Sequence, residues 1–492
     1  MGATFVRALG GSMREDCDHL HEECGVFGVW SSGQDATRLV YFGLKALQHR
    51  GQESAGIAAA DGDSIMMRKG LGLVDQVISQ GDVAALAGKA AIGHVRYATS
   101  GARDWQCAQP HLSNFGDATI ALAHNGTLVN ADDVREDLVR QGVRFRSDSD
   151  SEAAASLIGL RAGDLHSVRE AIRYMMRNLE GGYAIVLLCE DALYAFRDPH
   201  GIRPLVLGSL GKPEDGTWVV SSETCALDAI GADFVREVYP GEVVCVSSEG
   251  PSSEQGVPAL AEARCIFEHV YFSRPDSVEC GGTMYGMRFS MGRNLAREAP
   301  VETDLVIGVP DSGLPPAEGY AAELGIRYGE GFIKNRYVAR TFIEPTQGMR
   351  ELSVRMKLNA LRDSVRNKRI VMVDDSIVRG TTMRQLVRMQ RDAGAREVHV
   401  RIMCPEVRWP CFYGIDTDTQ DQLISARYSP EEIRSFIGAD SLAFLSLPGL
   451  LRCVPAGGYC TACYTGHYPV RVPPRQCEGH FLEGSHPRFP ET

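Results

Sequence analysis

A strand that ends in two carboxylates, followed by a short loop and a helix, constrains this chain more than any other segment. The apolar run 370–373 predicts a buried strand, and Asp374 and Asp375 end it. A small polar loop with Gly380 follows, and Thr381 opens a helical pattern. Free backbone N–H groups at a helix N-terminus bind a phosphate monoester, and paired acids hold ribose hydroxyls or a hydrated Mg2+. The segment therefore predicts an α/β sheet whose edge binds a phosphorylated ribose.

The composition limits the class of protein. The chain has 492 residues, enough for two or three domains of ordinary size. Its formal net charge of −12 argues against nucleic acid or an anionic membrane as the main partner. No apolar run approaches the ~20 residues of a membrane span, and the charged stretch 14–23 does not resemble a secretory signal. We therefore expect a cytoplasmic protein whose 14 cysteines serve metal binding, catalysis or packing rather than disulfides.

Two domains of different architecture are predicted on either side of residues 247–258, whose Ser, Gly, Pro and Glu content is typical of a surface linker. Before residue 247, the predicted strands occur in groups, and predicted helices separate the groups. This order indicates a layered α+β domain. These strand patterns lie at 25–30, 56–60, 91–97, 119–124, 183–188, 192–196, 218–221 and 242–246. After it, apolar strands separated by helices indicate a parallel sheet, with strands at 304–310, 370–373 and 397–403. We predict one domain over residues 24–255 and a second over residues 256–492.

The strand–loop–helix segment closely resembles the signature with which type I phosphoribosyltransferases bind phosphoribosylpyrophosphate (PRPP). Residues 309–316 form a second loop after a strand, at the sheet edge where ligands of α/β folds collect. Residues 334–348 are polar and basic, which alone indicates a solvated loop but here suits a loop that closes over a pyrophosphate. The resemblance implies one Mg2+ at Ser312, Asp374 and Asp375. It implies these PRPP ligands: Lys334, Arg336, Arg340, Asp374, Asp375, Ser376, Arg379, Gly380, Thr381 and Thr382.

A second chemistry is indicated before the linker. Cys24 lies between a polar leader and a predicted strand, and a lone cysteine of this kind is more often a buried structural thiol. Four motifs after Cys24, however, resemble those of the N-terminal-nucleophile glutamine amidotransferases and have the same spacing as in that family. They are Gln48–Gly56, Gly93–Thr99, His124–Gly126 and Ser147–Asp148. This resemblance runs from Cys24 to about Val246 and implies a four-layer αββα sandwich. It also implies that residues 1–23 are a propeptide, with Met13 as an alternative start to Met1.

The same resemblance implies a role for each motif residue. A free α-amino group has a pKa of ~7.7–8.0 and can accept the thiol proton of Cys24 near neutral pH, so that the thiolate attacks the glutamine amide. Arg96 is expected to bind the glutamine α-carboxylate, and Asp148 its α-ammonium group. Asn125 and the Gly126 N–H are expected to form the oxyanion hole. Taken alone, the same residues also fit a surface ion pair, a helix cap and an Asn-Gly hairpin turn.

The two domains in this order resemble the glutamine phosphoribosylpyrophosphate amidotransferase family, from Glu22 to Pro469. The resemblance implies that ammonia freed at Cys24 passes internally to PRPP and gives 5-phosphoribosylamine, the first committed step of de novo purine biosynthesis. It also implies a homo-oligomer, usually a tetramer, with purine nucleotides as feedback inhibitors. One alternative is a hexosamine-forming enzyme, against which the Asp374-Asp375 loop argues. Another is a non-catalytic PRPP or nucleotide sensor, against which the glutaminase residues argue.

Four cysteines are candidates for a metal centre. Cys460 and Cys463 form a CxxC motif, which alone indicates a redox site, a zinc site or chance. Resemblance to the iron–sulfur branch of the family adds Cys265 and Cys411 and implies a [4Fe–4S] cluster on the four thiolates. Because the predicted reaction transfers no electrons, a structural role is expected for it. Zinc is the chemical alternative, since four cysteines also form structural zinc sites. The rival ligands are Cys404 and Cys453.

Overall fold

The computed structural model describes residues 24–97, 104–116, 118–212, 216–335, 358–415, 417 and 419–490. The predicted propeptide 1–23, with Met13, lies outside these residues, as do the proposed PRPP ligands Arg336 and Arg340. No helix in the described ranges is both long and apolar enough to span a bilayer.

The N-terminal part of the chain forms two antiparallel sheets. Its strands are β1 (Gly25–Trp30), β2 (Ser54–Ala60), β3 (Ile65–Leu71), β4 (Ala90–Arg96), β5 (His111–Phe115), β6 (Ala118–Leu128), β7 (Gly181–Leu188), β8 (Ala192–Arg197), β9 (Val206–Ser209), β10 (Trp218–Ser221), β11 (Asp233–Glu237), β12 (Glu242–Ser247) and β13 (Gly250–Gln255). Its helices are Ala36–Ala46, Val74–Val77, Gln80–Ala85, Ala131–Arg140, Asp150–Leu165, Val168–Asn178 and Thr224–Ile230. The strand orders are β11-β9-β10-β1-β4-β2-β3 and β13-β12-β8-β7-β6-β5.

The two sheets pack face to face, and helices cover their outer faces. Val26 and Ile92 of the first sheet meet Val186 of the second in a buried apolar layer. Helix Ala36–Ala46 packs on the outside of the first sheet, and helix Val168–Asn178 on the outside of the second. Since both faces of each sheet are covered near its centre, the central strands β1, β4, β7 and β8 are buried along their whole length. The predicted αββα sandwich is confirmed.

The predicted surface linker is the edge of the second sheet. All six residues of β13 pair with β12, from Glu242 opposite Gln255 to Ser247 opposite Gly250. The prediction of a linker was wrong because an edge strand with one solvent-exposed face needs few apolar residues. Pro251 is also tolerated at the edge of a sheet. Composition alone therefore does not distinguish an exposed edge strand from a linker.

The C-terminal part of the chain is built on a parallel sheet. Its strands are β14 (Arg264–Cys265), β15 (Val278–Glu279), β16 (Gly282–Thr283), β17 (Leu305–Gly308), β18 (Phe332–Lys334), β19 (Leu358–Ala360), β20 (Arg369–Asp374), β21 (Glu397–Ile402), β22 (Ser441–Phe444) and β23 (Tyr459–Cys460). Its helices are Met284–Glu298, Leu314–Leu324, Arg362–Val365, Thr381–Asp392, Ile424–Arg427, Pro430–Ile437, Leu447–Leu451, Ala462–Thr465 and Pro474–Cys477. Strands β17-β20-β21-β22 form the sheet with parallel pairing throughout, which confirms the predicted α/β architecture.

A buried ionic network joins the two parts of the chain. The guanidinium of Arg50, which is 1% exposed, donates to the carboxylates of Glu223 and Glu268, at 2.6 Å for the Nη2–Oε1 contact with Glu268. Ser277 Oγ donates to Glu223 Oε2 at 2.6 Å, and Ser273 Oγ donates to Glu268 Oε2 at 2.9 Å. Burial acts to raise the pKa of Glu223, but its cationic neighbours hold that pKa well below the usual range. The interface therefore depends on matched charges.

Arg50→Met is expected to destabilise the protein strongly, because it leaves two buried carboxylates without their shared cation. Breaking a buried pair in this way costs about 3–5 kcal/mol. The measurement is the midpoint of thermal unfolding. Arg475→Met is the control, since it removes an exposed ion pair with Glu136 (2.9 Å) and should leave the midpoint nearly unchanged. Equal effects of the two substitutions would contradict a role for the network in stability.

Candidate active sites and related proteins

The candidate nucleophile lies beside a buried arginine. Cys24 directly precedes β1, and the pairing of Gly25 with Val95 on β4 brings it next to Arg96, the last residue of that strand. The Arg96 side chain is largely buried, and its Nη1 has no hydrogen-bond partner among the described residues. A buried guanidinium with an unused N–H group is suited to a carboxylate ligand.

The environment of the Cys24 thiol disfavours its ionised form. Burial raises the pKa of Cys24, while the charge of Arg96 and the Tyr97 backbone act in the opposite direction. The Sγ atom lies 3.8 Å from the carbonyl oxygen of Tyr97. A neutral thiol is a weak nucleophile, so the reaction predicted at Cys24 requires a nearby base.

Asn125 and Gly126 lie inside strand β6, opposite Ala184 and Tyr183 of β7. The alternative of an Asn-Gly hairpin turn is therefore wrong, because pairing with β7 overrides the local turn preference. Gly126 has φ 131°, and a Cβ atom there would lie 1.9 Å from the carbonyl oxygen of Gly182, so only glycine fits. Both side-chain polar atoms of Asn125 are buried without a hydrogen-bond partner in the described part of the chain. An unpartnered buried amide is available to a ligand.

Asp148 lies on an exposed loop that its neighbours hold in place. The carboxylate of Glu152 accepts from the Ser147 backbone N–H at 2.8 Å and from its hydroxyl at 2.6 Å. Arg135 donates to the carbonyl oxygens of Ser147 and Ser149, each at 2.8 Å. Ser149 occupies the N-cap position of helix Asp150–Leu165, so the helix-cap alternative for Asp148 is wrong.

Two other groups at this site received no role from the sequence motifs, although one of them, Arg50, lies inside Gln48–Gly56. Asp150 raises the pKa of Cys24, and its Oδ2 accepts from the Leu128 N–H at 2.9 Å, which ties the helix start to β6. Arg50 donates from Nε to the carbonyl oxygen of Cys24 at 3.1 Å, so it holds the nucleophile's backbone as well as the interface. Acidic residues are common in the first turn of a helix because they stabilise it. The sequence therefore gives no sign that Asp150 has a role at the site.

Two loops of the C-terminal part meet at the paired carboxylates. Asp374 ends β20, and both Asp374 and Asp375 are almost fully buried. The hydroxyl of Ser312, from the loop after β17, donates to Asp375 Oδ1 at 2.7 Å. Ser376 Oγ donates to Asp375 Oδ2 at 2.6 Å. The structure thus brings together the oxygen atoms predicted to hold ribose hydroxyls and Mg2+, and such hard oxygen donors fit that cation.

The loop after Asp375 leads into a helix N-terminus. Gly380 has φ 81° at the N-cap position, and helix Thr381–Asp392 begins directly after it. The first-turn N–H groups of a helix and its dipole suit a phosphate. Lys334 is exposed on β18 and forms an ion pair with Asp311, in the same loop as Ser312. This predicted pyrophosphate ligand therefore contacts the loop whose Ser312 reaches Asp375.

The four cysteines predicted to share a metal centre converge. Cys265 and Cys460 pair directly across strands β14 and β23. Burial raises the pKa of Cys463, and Cys460, Cys265, Cys411 and, last, Cys404 raise it further, so these thiols lie near one another. Burial likewise raises the pKa of Cys460 to about 12, so its thiol is neutral unless a cation compensates the thiolate. This donor set fits an iron–sulfur or zinc centre.

The two rival cysteines have other partners. Cys453 donates to the Gly449 carbonyl at 3.2 Å and accepts from Asn294 Nδ2 at 3.1 Å. Cys404 donates to the Pro405 carbonyl at 3.2 Å and lies close enough to Asp375 for that carboxylate to raise its pKa, which burial raises most. Cys404 also raises the pKa of Cys463, which burial raises most, so Cys404 lies near the four predicted ligands and stays a rival for the centre.

The fold and the two sites define a class of protein, a glutamine amidotransferase domain followed by a phosphoribosyltransferase domain. Residues 94–229 match the family model of the glutamine amidotransferase domain, and residues 290–406 match that of the phosphoribosyl transferase domain.

Relatives of known name cover almost the whole chain. The amidophosphoribosyltransferase of Synechococcus elongatus is 50% identical over 458 residues, 93% of this chain and 93% of the relative. That of Mycobacterium bovis is 46% identical over 477 residues, 94% of this chain and 89% of the relative. The solved glutamine PRPP amidotransferase of B. subtilis, complexed with ADP and GMP, superimposes with a TM-score of 0.85 at 47% identity, covering 92% of this chain and 98% of that one. The chain therefore belongs to the amidophosphoribosyltransferase family.

Proposed function

We propose that this chain converts glutamine, PRPP and water into 5-phosphoribosylamine, glutamate and pyrophosphate, the first committed step of de novo purine biosynthesis. The proposal rests on the presence of two sites in one member of this family. The first has Cys24 next to Arg96, whose Nη1 has no hydrogen-bond partner among the described residues, and the same domain holds the buried amide of Asn125. The second is the paired-carboxylate site. A sensor that binds PRPP without chemistry has no use for the first of these sites.

In the glutaminase half-reaction, Arg96 binds the α-carboxylate of glutamine and Asp148 binds its α-ammonium group. Removal of residues 1–23 frees the α-amino group of Cys24, which takes the thiol proton. The sulfur then attacks the side-chain amide carbon, and Asn125 with the Gly126 N–H stabilises the oxyanion. Ammonia leaves with that proton, and water hydrolyses the γ-glutamyl thioester to glutamate.

In the second half-reaction, the N-terminus of helix Thr381–Asp392 holds the 5-phosphate of PRPP, and Asp374 and Asp375 hold the ribose hydroxyls. Lys334 approaches the pyrophosphate, as we also propose for Arg336 and Arg340. Ser312 and the two aspartates would hold one Mg2+, which supplies positive charge to the departing pyrophosphate. Ammonia from Cys24 travels inside the protein, where it stays unprotonated, and bonds to C1 of the ribose as the C1–oxygen bond breaks; the new amine then loses a proton.

We also propose a cluster, a cellular location, an oligomeric state and inhibitors for this chain. Cys265, Cys411, Cys460 and Cys463 would hold a [4Fe–4S] cluster that ties distant segments together. The chain is proposed to act in the cytoplasm as a homo-oligomer, with a tetramer expected. Purine nucleotides are proposed inhibitors, because a nucleoside monophosphate carries the same ribose 5-phosphate as PRPP and the B. subtilis relative was solved with ADP and GMP.

The decisive experiment is a coupled assay of glutamate formation on protein purified without oxygen. Glutamate, pyrophosphate and 5-phosphoribosylamine are expected in equal amounts, and glutamate formation should depend on PRPP. Binding of PRPP without pyrophosphate release would favour the sensor instead. Product formation from another phosphosugar in place of PRPP would favour the hexosamine-forming alternative.

Active protein is expected to begin at Cys24 and to carry iron and sulfide. A retained leader keeps the cysteine nitrogen in a peptide bond, so the thiol has no base. Intact-mass analysis tests the N-terminus, and iron and acid-labile sulfide assays test the cluster. Full activity with Met1 or Met13 still attached would contradict the processing step, and zinc without iron at the four cysteines would contradict the cluster.

A further inference from the structure

A separate group of metal-binding side chains lies where the two domains meet. Glu237 ends β11 of the amidotransferase domain, whereas Glu279 and Cys280 belong to the β15–β16 hairpin of the following domain. One carboxylate oxygen from each glutamate and the Cys280 sulfur lie within 4.8 Å of one another. The Cys280 backbone N–H donates to Glu237 Oε1 at 2.9 Å, which fixes the hairpin against β11.

A buried histidine faces this group. His269 is fully buried, and its Nε2 lies 3.6 Å from Glu279 Oε2. That nitrogen has no hydrogen-bond partner among the described residues, which is costly for a buried polar atom. The group therefore has an unsatisfied buried nitrogen at its edge, next to Glu279.

The hairpin turn presents the thiol in an unusual way. Cys280 and Gly281 both have positive φ values, 52° and 78°, as in the tight turns that normally use Asn, Asp or Gly at the first position. Cysteine gains nothing in such a turn from its own conformational preference, and a non-glycine residue there is strained. A thiol that serves as a ligand accounts for the choice.

Two arginines approach the group from one side. Arg264 Nη2 lies 3.3 Å from Glu237 Oε2, and Arg197 Nη1 lies 3.9 Å from the same oxygen. Arg264 has a second partner in Glu262 at 2.8 Å. Both cations therefore face Oε2, while Oε1 faces Cys280, and a metal on the Cys280 side does not displace them.

We propose that Glu237, Glu279 and Cys280 bind a zinc-class divalent cation, and that His269 contacts the Glu279 carboxylate from outside the group. A thiolate donor selects Zn2+ over Mg2+ or Ca2+. On binding, the Cys280 thiol loses its proton to solvent and forms a sulfur–metal bond. The ion would clamp the hairpin of one domain to the β11 end of the other.

The test is equilibrium dialysis of the full-length protein against Zn2+, with zinc and iron measured per chain. We expect one zinc in addition to the iron, and zinc should raise the midpoint of thermal unfolding. Cys280→Gly suits the turn and should fold, yet bind zinc more weakly by over roughly 100-fold. Glu279→Gln should lose zinc as well. Cys453→Ser, which removes a thiol elsewhere, is the control and should keep both the zinc and the shift.

Two results would overturn the proposal. One is equal zinc binding by the wild-type protein and Cys280→Gly. The other is zinc whose binding disappears in Cys411→Ser but not in Cys280→Gly, since that zinc would belong to the four-cysteine centre. The iron content of each variant separates loss of this site from loss of the cluster.

Discussion

Cys24→Ala is expected to abolish glutamine-dependent synthesis of 5-phosphoribosylamine while synthesis from added ammonium salts continues. The substitution removes the only atom proposed to bond to glutamine and leaves every group of the PRPP site in place. Loss of a catalytic nucleophile lowers turnover by roughly 10⁴-fold or more. The measurement compares pyrophosphate release with glutamine and with ammonium chloride at a pH that supplies free ammonia.

Cys189→Ala is the matched control, because it removes a buried thiol from the same domain. It should retain both activities unless the cavity unfolds the domain, which circular dichroism would reveal. A folded Cys24→Ala protein that has lost both activities would contradict the proposed division of labour.

Asp374→Asn and Asp375→Asn are expected to impair PRPP use with either nitrogen source. Each substitution removes a negative charge from the place where ribose hydroxyls and a metal are proposed to bind, and Asp375 also loses one acceptor for Ser312 or Ser376. A fall of roughly 10²–10³-fold in kcat/KM for PRPP is expected, similar to the loss of other preorganised polar groups. The slow hydrolysis of glutamine without PRPP should persist, because Cys24 is untouched.

Asp392→Asn supplies the control for that pair. Asp392 ends the helix that begins at the same phosphate site, but its side chain is exposed. Its kinetics should match those of the wild-type protein. Near-normal PRPP kinetics in both Asp374→Asn and Asp375→Asn would show that the site is elsewhere.

The sequence predicted those strands and helices that can be recognised from the pattern of apolar residues within the segment itself. Strand β20 was found because a short apolar run that ends at a polar, glycine-containing loop is typical of a strand buried on both faces, and the structure buries Ile370 to Val373 completely. The β13 edge strand was misjudged, and the hairpin turn considered as an alternative for Asn125–Gly126 was wrong, since both positions depend on a neighbouring strand that local composition does not reveal. Pairing partners decide such cases.

Contacts between distant residues were not predictable from one sequence. Arg50 is separated by 173 residues from Glu223 and by 218 from Glu268. It lies inside the motif Gln48–Gly56, but the motif does not reveal that its side chain is buried between two carboxylates. Family resemblance selected Cys265 and Cys411, but only the folded chain brings them to the CxxC motif. Residues with recognisable motifs were therefore found, while those that position them were missed.

Because of the contacts of Arg50, we do not expect the amidotransferase domain to work well when it is produced without the rest of the chain. Its guanidinium holds the carbonyl oxygen of Cys24 through Nε and the carboxylate of Glu268, from the other domain, through Nη2. Cutting the chain after residue 255 would remove that counter-ion and open the arginine to water, so the N-terminal cysteine would lose part of its anchoring. We therefore expect the isolated amidotransferase domain to hydrolyse glutamine only slowly. Little glutamine is then consumed when the PRPP-binding domain is missing.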